Sequence, residues 1–372
     1  MIMNKSTLLG LALAMLVPTV ALADGVTIGG DLRLRWDYSG NDTAASVNSS
    51  SAVINFDLDA AVNDNVSFSA SLRHDFAFGD GSGGSPMGVQ EAYASIGDLG
   101  SASGVLAGWS LDVGRMNNPD YGRIINSDDW DQTTAPASSD GYHLASDMGG
   151  VGIDIYYFGG GNSPAGSADS ALGANFDLGD MGGFADITIG YWSGSSAVDS
   201  SNTSITISNI GGDSLAGVDL DVQYATSDDG TASDDGTLTS ISASYGLGDM
   251  GMTLHASNTI ADATWTAMSA AAHGTNGIAD IALTAGIFGA DIDNTTIGLS
   301  FSPMDGVDAT INFITLATDA AGTDLGTETD LVLSWECGSD VTMDVGYATF
   351  SADTAGGLAD DDFFYLQTGW DF

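Results

Sequence analysis

Apolar and polar residues alternate along most of this chain with a period of two. In the first clear example, Leu32, Leu34 and Trp36 fall on one face, whereas Arg33 and Arg35 fall on the other. The same alternation recurs at residues 54–59, 151–157, 218–224 and 343–347. Successive side chains of a β-strand point to opposite faces, so this period indicates strands with one apolar and one polar face. The sequence therefore predicts an all-β protein.

Short turns rich in Gly, Asp and Asn separate the alternating stretches in pairs. These residues tolerate the positive φ angles that tight hairpins need. The short turns lie near residues 63–65, 97–104, 147–150, 179–183, 211–217, 248–251, 303–306 and 337–340. Eight turns join two strands each, and one more strand at each end of the chain gives eighteen strands. The weakest hairpin contains residues 204–210, and without it the count is sixteen.

The two ends of the predicted sheet differ in a way that a soluble sandwich does not require. One end has short turns, whereas the other has long loops, of which 116–140 and 260–294 are the longest. Long loops inside a compact domain usually carry function. Several strands finish toward the long loops with an aromatic residue: Trp36, Tyr157, Tyr191 and Tyr347. This arrangement is typical of a membrane-spanning β-barrel with aromatic girdles, periplasmic turns and extracellular loops.

Both ends of the sequence support export to a bacterial outer membrane. Residues 1–23 contain Lys5, an apolar run at 8–17 and the small-x-small pattern Ala21-Leu-Ala, which together predict a cleaved signal peptide. The apolar run is too short to span a bilayer. The last strand places Phe364, Leu366, Trp370 and Phe372 on one face. We therefore expect residues 24–372 to form a transmembrane antiparallel β-barrel.

The net charge and the hydropathy of the chain limit the kinds of partner that it can bind. The formal net charge is −44, and Lys5 lies in the segment expected to be removed, which excludes nucleic acid as a partner. Mean hydropathy is nevertheless +0.11, too apolar for a disordered acidic chain. Outer-membrane lipid and lipopolysaccharide are the partners that an apolar outer face predicts. Cys337 is the single cysteine, so it forms no internal disulfide.

An open barrel lumen has three alternatives: an enzyme site, a calcium site and a plugged lumen. The histidines His74, His143, His255 and His273 show no catalytic spacing, so no enzyme activity and no cofactor are expected. The acidic run at 227–236 and the cluster at 360–362 offer oxygen ligands for calcium, but neither fits a known calcium loop, and solvated loops are the commoner meaning. A plugged structural or adhesive barrel stays open as the alternative, because the loop at 260–294 is long enough to enter the lumen.

Residues 90–100 (QEAYASIGDLG) and 111–115 (LDVGR) resemble the general porins of Gram-negative bacteria. In that family such a pair of strands leads into a third loop that folds back into the barrel. The resemblance implies a sixteen-stranded barrel, usually a homotrimer, through which small hydrophilic solutes and ions diffuse passively. Here the third loop is 116–140. We therefore expect sixteen strands, with the eighteen of the turn count as the alternative.

The resemblance also implies a constriction in which basic side chains on the wall face acids on the third loop. The corresponding residues are Arg33, Arg35, Arg73, Arg115, Asp120, Asp128, Asp129 and Asp131. Arg115 is assigned by its motif, and the other three arginines lie on the polar face of their strands. In the alternative interpretation, the arginines only neutralise nearby acids such as Asp31, Asp37 and Asp75. Residues 24–372 contain no lysine, which leaves fewer positive charges at the constriction and predicts a preference for cations.

Overall fold

The computed structural model describes most of the region expected to form the barrel. The described residues are 25–41, 47–77, 87–119, 138–159, 170–195, 199–215, 217–230, 235–248, 251–265, 278, 291–338, 340–353 and 356–372. The predicted signal peptide, residues 1–23, lies outside them, as does most of the third loop, residues 120–137.

Eighteen β-strands account for most of the described chain. In order they are β1 (Val26–Asn41), β2 (Val47–Asn63), β3 (Val66–Ala77), β4 (Gly88–Ile96), β5 (Trp109–Asn117), β6 (Ser138–Asp147), β7 (Gly152–Gly159), β8 (Ser170–Asp180), β9 (Asp186–Ser195), β10 (Ser200–Ser208), β11 (Val218–Asp228), β12 (Gly236–Gly246), β13 (Met252–Ala261), β14 (Ile292–Met304), β15 (Val307–Ala317), β16 (Asp324–Glu336), β17 (Val341–Ala352) and β18 (Asp361–Asp371). Short 3₁₀ helices occur at Leu99–Ser101, Gly104–Leu106 and Gly212–Leu215. Within the described part of the chain, no helix is long and apolar enough to cross a membrane.

The strands form one closed antiparallel barrel. Each strand pairs with its neighbours in sequence, and β1 pairs with β18 over the register Asp31↔Asp371 to Asn41↔Asp361. The backbone N–H of Gly30 donates to the carbonyl of Phe372 at 3.0 Å, and the N–H of Phe372 donates back at 2.9 Å. Closure leaves no unpaired sheet edge, which is what a barrel in lipid requires.

The strand number corrects the expectation of sixteen. The hairpin that looked weakest in sequence is real, because β10 (Ser200–Ser208) pairs with both β9 and β11. The count of eight short turns is confirmed, and the number implied by the general-porin resemblance is wrong for this chain. An even number of antiparallel strands closes with both chain ends on the same side.

The outward face is apolar, as the alternation predicts. Ile297 and Phe313 are directly paired across β14 and β15, and both are more than half exposed. Tyr142 and Tyr157 are paired in the same way across β6 and β7. Because the antiparallel register stacks residues of equal parity, these side chains form a continuous apolar surface. Such a surface is a liability in water and is suited to lipid.

The two rims of the barrel differ. At one rim the connections are short, and their glycines adopt the positive φ angles of tight turns, for example Gly149 (φ 72°) and Gly150 (φ 89°) between β6 and β7. The carboxylate of Asp147 accepts a hydrogen bond from the N–H of Gly150 at 2.9 Å, which holds the turn closed. At the other rim the connections are longer, and most of the undescribed residues fall there. The predicted asymmetry between turns and loops is confirmed.

Candidate functional site on the inner wall of the barrel

Three arginines lie on the inner wall of β1 and β3, as their strand parity predicts. Arg33 and Arg35 alternate on β1 with the outward Leu32, Leu34 and Trp36, and Arg73 alternates on β3 with Leu72. Each pairs with an aspartate two residues along its own strand. The pairs are Arg33 Nε with Asp31 Oδ2 at 3.2 Å, Arg35 Nε with Asp37 Oδ1 at 2.6 Å, and Arg73 Nε with Asp75 Oδ1 at 2.7 Å.

These partners are the acids named in the alternative interpretation of the arginine cluster. The side chains of Arg35 and Arg73 are each only 5% exposed, whereas that of Arg33 is 29% exposed. Of these three inward arginines, Arg33 therefore has the largest solvent-exposed fraction. Strands explain the spacing, because residues i and i+2 point to the same side.

Arg35 is held by an aromatic contact as well as by its ion pair. Its guanidinium carbon lies 4.3 Å from the ring centre of Tyr365 on β18 and 6.0 Å from that of Phe363. A guanidinium over an aromatic face is attracted by the ring quadrupole. This contact joins the first and last strands on the inside of the barrel, next to the closing β1–β18 register.

Arg115 faces outward, contrary to the prediction that it lines the channel. On β5 its neighbour Met116 belongs to an inward apolar cluster, and Asp112 contacts inward residues, so Arg115 has the opposite parity. Its Nε donates to Ser138 Oγ at 3.1 Å, and its Nη1 lies 3.9 Å from Asp140 Oδ1. The motif match therefore placed Arg115 on the wrong face.

The loop side of the predicted constriction belongs to the third loop, residues 116–140. Asp120, Asp128, Asp129 and Asp131 all lie outside the described residues. At the start of the third loop, Asn118 is buried and its side-chain oxygen accepts a hydrogen bond from Ser139 Oγ at 2.7 Å. Ser139 has inward parity on β6, so Asn118 packs toward the lumen.

Carboxylates outnumber basic groups on the described inner wall. Inward acids that are half-buried or exposed include Asp57, Asp59, Asp219, Asp221, Asp308 and Asp344. Some contact small hydroxyls, for example Ser69 Oγ donating to Asp59 at 2.7 Å and Ser302 Oγ donating to Asp308 at 2.6 Å. In a water-filled channel with low-dielectric walls, such a surplus produces a negative potential that concentrates cations.

His143 is a further basic group on the inner wall, for which the sequence analysis assigned no position in the barrel. It lies on β6 between two carboxylates, with Nδ1 3.1 Å from Asp112 Oδ2 and Nε2 2.8 Å from Asp154 Oδ1. Its ring stacks on Tyr156, with centroids 4.2 Å apart and an interplanar angle of 3°. Only a protonated imidazole can donate to both carboxylates at once. A protonated His143 offsets one of the two negative charges of this pair of acids on the β5–β7 wall.

Near the loop rim the inner wall carries a buried apolar cluster, which the sequence analysis missed. Its larger members are Met116, Phe158, Trp192, Leu238, Ile292, Ile314, Leu316 and Phe350, joined by Trp265 from the loop after β13. Trp192 packs over Gly173, where an added Cβ would meet its ring atoms at 2.4 Å. The inner face of this part of the barrel is therefore packed against protein. The signal was present in sequence, because the alternation breaks where Tyr156, Tyr157 and Phe158 follow one another.

The long loop between β13 and β14 reaches the inner wall at Ile278. The N–H of Ile278 donates to Asp330 Oδ2 at 3.3 Å, and its side chain packs with Ala348 and Tyr365. Residues 266–277 and 279–290 of this loop are not described. Ile278 itself therefore lies inside the lumen, against β16, β17 and β18.

Asp262 fixes the start of the same loop. Its Oδ2 accepts hydrogen bonds from the N–H and the Oγ1 of Thr237, each at 2.7 Å, and its Oδ1 accepts from the N–H of Thr264 at 3.0 Å. Burial raises the pKa of the Asp262 carboxyl, but these hydrogen bonds outweigh it and hold the pKa below its usual value.

No family model and no curated protein matches the sequence. Solved structures do match. The outer membrane protein OpdK of Pseudomonas aeruginosa is 16% identical, with a TM-score of 0.66 over 93% of this chain and 98% of its own. OpdO of the same bacterium is 13% identical, with a TM-score of 0.68 over 94% and 98%. OpdR is 16% identical, with a TM-score of 0.65 over 93% and 96%.

This chain shares their fold. At such low identity the likeness shows the fold alone, and it covers nearly the whole barrel of each protein. The similarity is to these Opd proteins, and nothing in it singles out the general porins that the motif at 90–100 resembles.

Proposed function

We propose that this chain is an outer-membrane porin that lets small hydrophilic solutes and ions diffuse passively through its lumen. The observation that carries the proposal is the closed eighteen-stranded barrel with an apolar outer face and a charged, acid-rich inner wall. An apolar belt outside and polar groups inside separate lipid from water. The fold shared with the outer membrane protein OpdK supports the same location.

We further propose that the channel prefers cations. The three inward arginines of the described wall are each matched by an aspartate, so the remaining inward carboxylates set the sign of the potential. OpdK has been solved with vanillate, whose carboxylate is an anion. An acid-rich wall like the present one disfavours such a solute. The facing row of acids on the third loop, the signal peptide at 1–23 and the homotrimer remain predictions from sequence.

The inward packing of Trp265 and Ile278 favours a second candidate, a plugged barrel without open-channel activity. Liposome swelling separates the two. Vesicles that contain the folded, purified protein are diluted into isosmotic solutions of a monosaccharide or of a large dextran. A porin gives swelling with the monosaccharide and none with dextran, whereas a plugged barrel gives swelling with neither. Vesicles without protein are the control.

A further inference from the structure

His143 lies in the middle of β6, and the inner wall on its turn side carries only short side chains. The next inward positions toward the short turns are Ser110 and Ala145, which are directly paired across β5 and β6. Neither is long enough to cover the imidazole ring or its two acids. The side chains of His143, Asp112 and Asp154 are 19%, 29% and 31% exposed. Ions in the lumen therefore reach all three charged groups.

On the loop side the imidazole ring is held by the edge of the apolar cluster. Tyr156 stacks on His143, and its ring centre lies 5.9 Å from that of Phe158 and 5.4 Å from that of Trp192. The next inward position on β6 is Gly141, where an added Cβ would meet the Phe158 ring at 2.8 Å. The imidazole is thus fixed on one side and open to the lumen on the other.

The contacts of the imidazole determine its charge. Asp112 accepts from Ser95 Oγ at 2.5 Å through Oδ1 and faces the ring through Oδ2, and a carboxyl group that accepts at both oxygens holds no proton. A neutral imidazole donates from one nitrogen and presents a lone pair at the other. With Asp154 facing the second nitrogen, both contacts are favourable only for the imidazolium. The three groups then carry one net negative charge in place of two.

The other inward basic groups of the described wall are arranged differently. Each of the three arginines on β1 and β3 is matched by one aspartate of its own strand. His255 on β13 faces a neutral amide, with Nε2 2.8 Å from Asn312 Oδ1. His143 lies between two acids that belong to two other strands, β5 and β7. Removal of its charge therefore leaves two carboxylates that face the lumen.

We propose that His143 is a selectivity-determining residue that limits the preference of the channel for cations. Its positive charge cancels one of the two negative charges that permeating ions meet on the β5–β7 wall. The imidazolium and both carboxylates are in contact, well within the screening length of about 10 Å in 0.1 M salt, so a passing ion responds to their sum. The proposal rests on the channel function proposed above.

Reversal potentials in planar bilayers under a KCl gradient test this role. H143Q and H143S both remove the charge. Glutamine keeps one donor, and serine leaves room for water around both acids, so the two neutral variants differ in what they require of the fold. H143K keeps a positive charge without the stacked ring. H255Q is the matched control, because His255 is an inward histidine that faces an amide. Folding of each variant is checked by heat-modifiable migration.

The neutral variants are expected to raise the ratio of K⁺ to Cl⁻ permeability about twofold or more in dilute salt, near 0.1 M. The rise should shrink in about 1 M salt, where the screening length falls to about 3 Å. H143K and H255Q should keep the wild-type ratio. A purely structural role of the ring would not distinguish H143K from the neutral variants and would not depend on salt.

Two results overturn the proposal while leaving the channel intact. In the first, folded H143Q or H143S conducts with the wild-type permeability ratio. In the second, H143K raises the ratio as much as the neutral variants do, because the charge of His143 is then not what acts on the ions. Folded wild-type protein that gives no conductance refutes the channel function, and this proposal with it.

Discussion

Replacing Arg35 with methionine tests whether the buried arginine pair stabilises the closure of the barrel. The guanidinium is 2.6 Å from Asp37 and 4.3 Å from the ring centre of Tyr365, and the side chain is 5% exposed. Removing one partner of a buried pair typically costs about 3–5 kcal/mol. Asp37 is 21% exposed and regains some hydration, so we expect R35M to lower the free energy of unfolding by about 2–3 kcal/mol.

The assay is urea unfolding of the protein in detergent micelles, followed by tryptophan fluorescence. The double variant R35M/D37N should recover most of the loss, because it leaves no unpaired carboxylate. R33M is the matched control. Arg33 is 29% exposed and its pair with Asp31 is longer, so its loss should cost about 1 kcal/mol or less.

Two results would refute this reasoning. If R35M and R33M lower stability equally, burial does not set the strength of these pairs. If R35M/D37N is no more stable than R35M, the cost comes from lost packing on β18 and not from the unpaired carboxylate.

Three further predictions concern other parts of the barrel. G173A should lower the thermal midpoint and shift tryptophan emission to longer wavelength, because its Cβ would meet the Trp192 ring at 2.4 Å; G246A, with nothing within 4 Å, should change neither. R115A should leave ion selectivity unchanged, because Arg115 faces outward. A shift in the reversal potential of R115A would show that Arg115 lines the lumen. The Asp262 carboxyl has a lowered pKa, so its stabilisation is present above its unfolded pKa and is lost as pH falls through the folded one; the thermal midpoints of wild type and D262N should therefore differ at neutral pH and converge in strong acid. A difference that persists unchanged at low pH would contradict that assignment.

The fold was largely predictable from the sequence, because strand parity and turn chemistry are local. The eight short turns were located by their Gly, Asp and Asn residues, and they gave the observed eighteen strands. The count of sixteen came from the resemblance, which carried over a property of the family that these residues do not share. The local pattern predicted the strand number better than the resemblance did, because the turn of each hairpin is determined by its own residues.

The inner wall was predictable only in part. Parity placed Arg33, Arg35 and Arg73 correctly, and it would also have placed Arg115 outward, since Arg115 shares parity with Leu111 and Val113. The prediction that Arg115 lines the channel instead followed the motif at residues 111–115 and not the strand parity. The break in the alternation at residues 156–158 signals the inward cluster around Trp192 only locally, because the cluster also includes Trp265, which is distant in sequence.

Single-channel recording in a planar bilayer under a KCl gradient shows whether the barrel is an open channel that prefers cations. We expect stepwise conductance and a reversal potential of the sign that K⁺ selectivity requires, because acids outnumber basic groups on the described inner wall. Folded protein that gives no conductance, or a reversal potential of the sign for Cl⁻, would contradict it.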